Sequence, residues 1–367
     1  MVKLRSTFTA TLGIAAAATL TLAGCSASPG EAGGDGLSIV TTTTQVTDFV
    51  ERLVDGTDAT VSSLLLPGES AHSFEADPAD LVAVGGADLV VASGFGLEEA
   101  WLPPVLEAGG YTGATVNAGD GFDPAMLQEG AGHAAATGGA GKSDHDHGDE
   151  ADGHDHGDEA DGHDHGDEAD GHDHGGADPH VWTAPLGASF MVGVIADALA
   201  EADPDNADAY RANAGAYQAQ LEELDLWIGQ NVAQVAEEDR LLVTNHEALT
   251  YYTDGYRITV IGSIMPSWDD NAEPSAAELD TLITAITASG VPAVFSESQL
   301  SPATAERIAT ETGVKVYSGD EALLTDSLGE PGTDAATYIG ATVHNTVQIL
   351  DSWGAAASEL PTELQGA

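Results

Sequence analysis

Thirteen histidines are the side chains in this sequence best suited to chemistry, and their spacing sorts them into two groups. Nine lie between His133 and His174. Eight of these (His145, His147, His154, His156, His163, His165, His172 and His174) form His-Asp-His triplets in a nine-residue repeat, His-Asp-His-Gly-Asp-Glu-Ala-Asp-Gly. Neutral imidazole binds zinc, copper and nickel well, and neighbouring Asp carboxylates add charge and oxygen ligands. Lacking large apolar residues, the segment 133–176 cannot bury a core, so disorder is expected without metal. It reads as a multi-site metal-collecting loop, each site weakened by the conformational freedom lost on binding. A solvated low-complexity spacer is the plainer alternative.

The remaining four, His72, His180, His246 and His344, stand apart in sequence. A single histidine is more often a structural or surface residue than a ligand. Three of these share a setting that reverses the presumption. His72 follows an apolar run that reads as a strand, His180 directly follows the repeat segment in Asp178-Pro179-His180-Val181-Trp182, and His246 follows the run 241–244. Loops at strand ends are where open α/β sheets place ligand-binding groups. His344 sits inside a helical stretch and has no such position.

The elements that must position these residues alternate between strand-like apolar runs and segments of helical period, which predicts an α/β fold with mainly parallel sheets flanked by helices. Strands are expected at 37–43, 60–66 and 88–92, then at 241–244, 258–261, 293–296 and 314–317. Helices are expected on the face carrying Val46, Phe49, Val50, Leu53 and Val54, and near 276–288 and 302–312. Between the two blocks, 204–238 has no further proline after Pro204 and is rich in Ala, Gln, Glu and Leu, which reads as one long helix or a broken pair. The organisation expected is a signal peptide (1–24), a flexible tether (25–36), an N-terminal lobe (37–202, with the insertion 133–176), a connecting helix (203–238) and a C-terminal lobe (239–367).

Charge narrows the partners. Sixty-one acidic residues against nine basic ones give a formal charge of −52, which excludes attraction to nucleic acid or anionic lipid and favours cations. Lys3 and Arg5 precede an apolar run at 10–23 that reads as an export signal. No later run approaches the ~20 apolar residues of a membrane-spanning helix, so none is expected. The run ends in Leu22-Ala23-Gly24-Cys25, and Cys25 is the lone cysteine, which excludes an intrachain disulfide and a cysteine-based metal site. This quartet resembles the lipobox of bacterial lipoproteins, which implies acylation at Cys25 and anchoring to the cell membrane by that lipid.

The contexts of the three histidines together resemble the zinc and manganese group of ABC-transporter solute-binding proteins, the cluster A-I type, over roughly 37–353. The resemblance is carried by His72 with Phe74-Glu75-Ala76-Asp77-Pro78, by Asp178-Pro179-His180-Val181-Trp182, and by Thr244-Asn245-His246-Glu247-Ala248-Leu249-Thr250-Tyr251. Glu273-Pro274-Ser275, Phe295-Ser296-Glu297-Ser298-Gln299 and Thr325-Asp326-Ser327-Leu328-Gly329 extend it. It implies a metal held in a cleft between two lobes by His72, His180, His246 and Asp326, with Glu297 and Glu247 as reserve carboxylates. It also implies a monomeric receptor that hands its cargo to a membrane permease and its ATPase. Manganese-selective members usually have a carboxylate at the position of His246, so Zn2+ is favoured over Mn2+. Leu249 departs from the family's frequent aromatic, and the acidic pair Asp269 and Asp270 reads as a solvated loop.

Two other functions compete. A zinc hydrolase needs an open coordination position and a nearby base, whereas three histidines and a carboxylate close a four-coordinate shell, and no His-Glu-x-x-His occurs. The chain is accordingly read as not an enzyme. A surface zinc-buffering or adhesin-like lipoprotein acting mainly through the His-rich segment is the other alternative.

Overall fold

The computed structural model describes residues 36–127, 178–267 and 273–366. The apolar run Ser38–Thr41 forms β1, flanked by β2 (Thr60–Ser63) and β3 (Leu89–Ala92), with β4 (Ala114–Asn117) at the far edge. The order is β2-β1-β3-β4 and every pairing is parallel, with Ile39 opposite both Val61 and Leu89. Inner strand β3 is buried at all four residues, as a parallel strand covered on both faces requires, while edge strand β4 is mostly exposed. The threonine run that extends the apolar reading past Thr41 turns instead into α1 (Thr44–Leu53). Thr43 adopts an extended backbone and its hydroxyl caps the helix by accepting the Val46 N–H. Val46, Phe49, Val50 and Leu53 then fall on one buried face at helical spacing. Helices α2 (Pro78–Gly86) and α3 (Leu102–Gly109) connect the later strands.

Two long helices follow. Helix α4 (Pro185–Ala202) is long and apolar enough to cross a bilayer by length and composition, but Met191, Val192, Ile195 and Leu199 are buried in the larger core, which makes it an interior helix. Helix α5 (Ala207–Val232) is a single 26-residue helix rather than a broken pair. It buries Tyr210, Ala214, Tyr217, Leu221, Leu224 and Ile228, spaced alternately by four and three.

A second set of strands comprises β5 (Leu241–Thr244) beside β6 (Thr259–Ser263) and β7 (Ala293–Phe295) beside β8 (Lys315–Tyr317), both pairs parallel, with β5 against β7. Helices α6 (Thr250–Tyr256), α7 (Ala276–Ser289) and α8 (Ala303–Thr312) connect them. Val243, Ile264, Leu282, Ile286, Val294 and Ile308 form a smaller core of their own. Helix α9 (Tyr338–Ser352) returns the chain to α5. Because each described strand pair is parallel, the segments leaving β1, β2, β5, β7 and β8 emerge from carboxyl ends, where such sheets build their sites.

Candidate metal centre

Three of the four residues of the centre, His72, His246 and Asp326, are delivered by those segments, and His180 by the stretch that leads into α4. His72 lies in the loop after β2, its backbone N–H donating to Ser70 Oγ at 3.1 Å. His180 precedes a single 3-10 turn, Val181–Thr183, and its carbonyl accepts the Thr183 hydroxyl at 2.9 Å. His246 immediately follows β5, and its N–H donates to Glu297 Oε1, just past β7, at 3.0 Å. Asp326 sits in the long segment after β8, which the first sheet's loops grip on both sides. The Thr325 carbonyl accepts Gln45 Nε2 at 3.0 Å and Trp182 Nε1 at 2.9 Å. Gly68 N–H donates to Ser327 Oγ at 2.7 Å, and Leu328 N–H donates to Thr44 Oγ1 at 2.9 Å.

These placements bring the four side chains together. His72 Nε2 lies 3.2 Å from His180 Nε2, and His180 Nε2 lies 3.3 Å from Asp326 Oδ1. His246 Nε2 and His72 Nε2 lie 3.2 and 3.5 Å from Asp326 Oδ2. His180, His246 and Asp326 are fully buried, and His72 closes the centre at its rim. His246 Nε2 and Asp326 Oδ1 are buried with no hydrogen-bond partner, an arrangement that costs free energy unless a further ligand satisfies both. A metal cation serves a nitrogen lone pair and a carboxylate at once.

Two more carboxylates stand behind the rings. Asp178 Oδ1 lies 2.7 Å from His180 Nδ1 and also accepts the His180 backbone N–H at 2.9 Å. Glu297 Oε2 lies 2.6 Å from His246 Nδ1, close enough to pair with its charge though off the line of a good hydrogen bond. Each carboxylate favours the proton on Nδ1 and leaves Nε2 facing the centre. Burial works against a charged His180, but Asp178 and Asp326 outweigh it and push the ring up to about 9. Burial likewise opposes charge on His246, and Glu297 and Asp326 raise it well above the usual imidazole range. Asp326 is driven well below the usual carboxylate range, because His246 and His180 overcome the effect of its burial.

The other candidates fall elsewhere. His344 Nε2 donates to the Ala322 carbonyl at 2.8 Å from within α9, a structural contact. Glu247 is exposed, and its Oε1 accepts the Ser263 hydroxyl at 3.4 Å. Leu249 is buried in the larger core. Cys25, the eight repeat histidines, Asp269 and Asp270 lie outside the described residues. Sequence reasoning did not assign roles to Gln45, Trp182 or Gln299, which act on the segment of Asp326 from far away in the chain. For Asp178 a signal was present, since the spacing of two to His180 lets one carboxylate reach both backbone and ring.

Comparison with known proteins identifies the family. Residues 39–352 match the profile of the family described as zinc-uptake complex component A, periplasmic, ZnuA. The manganese-binding lipoprotein MntA of Halalkalibacterium halodurans is 29% identical over 314 residues, 85% of this chain and 87% of that protein. The iron-binding protein YfeA of Yersinia pestis is 28% identical over 304 residues, 82% of this chain and 81% of that protein. Among solved structures, the periplasmic zinc-binding protein TroA from Treponema pallidum shares the fold with a TM-score of 0.66 at 22% identity, covering 87% of this chain and 99% of that one. With the matched region spanning both sets of strands and all four residues of the centre, the chain belongs to the ZnuA family of metal-binding transport receptors, which are not enzymes.

Proposed function

We propose that the protein is an extracytoplasmic zinc receptor. It captures Zn2+ with His72, His180, His246 and Asp326 in a cleft between two lobes joined by α5, and delivers it to the permease of an ABC importer powered by its ATPase. Acylation of Cys25 tethers the monomer to the cell membrane. Relatives carry names for manganese, iron and zinc, so the choice of metal rests on the donor set. The observation that carries it is the spacing of the donors. Zinc at 2.0–2.1 Å from tetrahedral ligands separates them by about 3.3–3.4 Å. His180 Nε2 lies at that separation from both His72 Nε2 and Asp326 Oδ1, at 3.2 and 3.3 Å, and one donor atom from each of the four residues lies within 4.8 Å of the others. Three imidazoles and a single carboxylate also suit zinc better than manganese, which prefers more oxygen ligands.

The test is zinc stoichiometry and affinity by competition against a chelator, on the chain starting after Cys25 and on the same chain lacking 133–176, each with and without His246→Ala. One tight zinc that survives removal of the His-rich segment and is lost in the variant supports the receptor. Loss of all tight binding with the segment moves the function to the repeat histidines and supports a zinc-buffering lipoprotein.

A further inference from the structure

Asp326 turns both carboxylate oxygens toward the centre, Oδ1 to His180 Nε2 at 3.3 Å and Oδ2 to His246 Nε2 at 3.2 Å. A carboxylate so placed can bind a cation through one oxygen or through two, and that choice changes the coordination number. One residue outside the ligand set touches this choice. Gln299 Nε2 lies 3.2 Å from Asp326 Oδ2 and 3.2 Å from Glu297 Oε2. At the other end of the amide, Oε1 accepts the Ser298 hydroxyl at 3.4 Å, which fixes the nitrogen on the side of the two carboxylates. An amide NH2 has two hydrogens, so one serves each carboxylate. The longer 3.4 Å approach to Thr325 Oγ1 is dispensable, because that hydroxyl already donates to Glu297 Oε2 at 2.7 Å.

We propose that Gln299 is a specificity-determining residue that holds Asp326 to one metal-bound oxygen. Its amide occupies Oδ2, and Oδ1, buried without any hydrogen-bond partner, is left as the donor. Three imidazole nitrogens and one oxygen then give the four-coordinate shell that zinc prefers. Without the amide, Oδ2 turns to the metal as well, and the extra oxygen favours a cation such as Mn2+ that takes more ligands at longer range. The same amide separates two acidic groups, Glu297 behind His246 and Asp326 in front of it, so one side chain links the orientation of a ring to the denticity of a carboxylate. This rests on the ligand set proposed above.

The test uses the full mature chain in the parent, Gln299→Ala, Gln299→Met and Asp326→Ala forms, so that the His-rich segment contributes equally to each. Two quantities are read at one equivalent of metal: the ratio of Zn2+ to Mn2+ affinity, and the intensity of the visible Co2+ absorption, which falls as coordination rises above four. The proposal expects both glutamine variants to fold, to lose Co2+ intensity and to lower the zinc-to-manganese ratio by about tenfold, in the range measured when supporting partners of metal ligands are removed. Gln299→Met keeps the volume without the donor and must behave as Gln299→Ala does. If Asp326→Ala changes both readouts while neither glutamine variant does, the role of Gln299 is overturned and the ligand set stands. If Asp326→Ala leaves both unchanged, the ligand set itself is wrong and the role of Gln299 goes with it.

Discussion

Asp178 holds His180 at two points with a single oxygen, Oδ1, which lies 2.7 Å from the ring Nδ1 and 2.9 Å from the backbone nitrogen. The ring is therefore fixed in position before any metal arrives, and the proton on Nδ1 is the one retained when zinc takes Nε2. Asp178→Ala removes both the acceptor and the charge, and zinc affinity is expected to fall by about 10–100-fold. Asp178→Asn keeps an acceptor and loses only the charge, so its loss should be smaller. Equal losses in the two variants, measured by chelator competition, would show that charge alone matters.

Proton release should accompany capture. In the metal-free protein, burial opposes charge on His180 but Asp178 and Asp326 prevail and push it up to about 9, and His246 is raised as well. Zinc needs the Nε2 lone pairs, so at pH 7 binding must displace at least about one proton. Below about pH 9, apparent affinity is expected to fall about tenfold per pH unit for each proton displaced. Those protons act oppositely on the metal-free fold. A raised imidazole value stabilises it fully below 6.5, and the stabilisation is lost as pH rises through about 9. Calorimetry in buffers of different ionisation enthalpy counts the protons, and an unchanged heat across buffers would contradict the assignment.

Gly187 tests whether the His180 turn depends on a close approach. In the first turn of α4, a Cβ on Gly187 would run into the Val181 carbonyl oxygen. Gly187→Ala is expected to destabilise the protein by about 1–3 kcal/mol, the usual effect of overpacking. It should also weaken zinc binding, because relief comes from moving the turn that carries His180. Ile195→Val, in the same helix but buried in the core, should lower the thermal midpoint and leave affinity alone.

Part of this candidate centre was legible in the sequence because His72 and His246 follow apolar runs, and a run such as Leu241–Thr244 reveals itself without tertiary information, whereas Asp326 entered only through the family resemblance. The fold class followed from the same alternation. Boundaries were harder to read where one residue type serves two ends. The threonines after β1 have strand character, yet Thr43 caps α1. Strand β4 escaped notice because an exposed edge of four residues has no apolar signature. Gln299 and Gln45 were illegible for a different reason. Their partners, Asp326 and the Thr325 carbonyl, are set by how distant segments pack, and no local pattern encodes that.

Glu98 gives a pH-dependent test of the first sheet. Its buried carboxylate accepts the Thr42 hydroxyl at 2.6 Å and the N–H groups of Ser93 and Gly94 at 2.8 and 3.0 Å. Desolvation nonetheless dominates over these bonds and raises its pKa above 4.5. A raised carboxyl contributes stability that is complete below 4.5 and is lost as pH rises through the folded value. The stability of the parent relative to Glu98→Gln should therefore be greatest in acid and shrink toward neutrality. Denaturant titrations of both proteins across that range check it, and a constant difference would contradict it.

His72 lies in the loop after the second strand of the first sheet and Asp326 after the last strand of the second set, so their meeting closes a loop containing most of the described chain. Contacts between such remote segments form slowly, because the entropy of closure is lost before they repay it. With the ligand set proposed above, a chain cut short before β8 would hold three imidazoles, lack its carboxylate and leave the shell incomplete. An ion held by that set would act as a cross-link joining the earliest-made strands to the last-made ones, and the folded state would then gain stability with the logarithm of free metal.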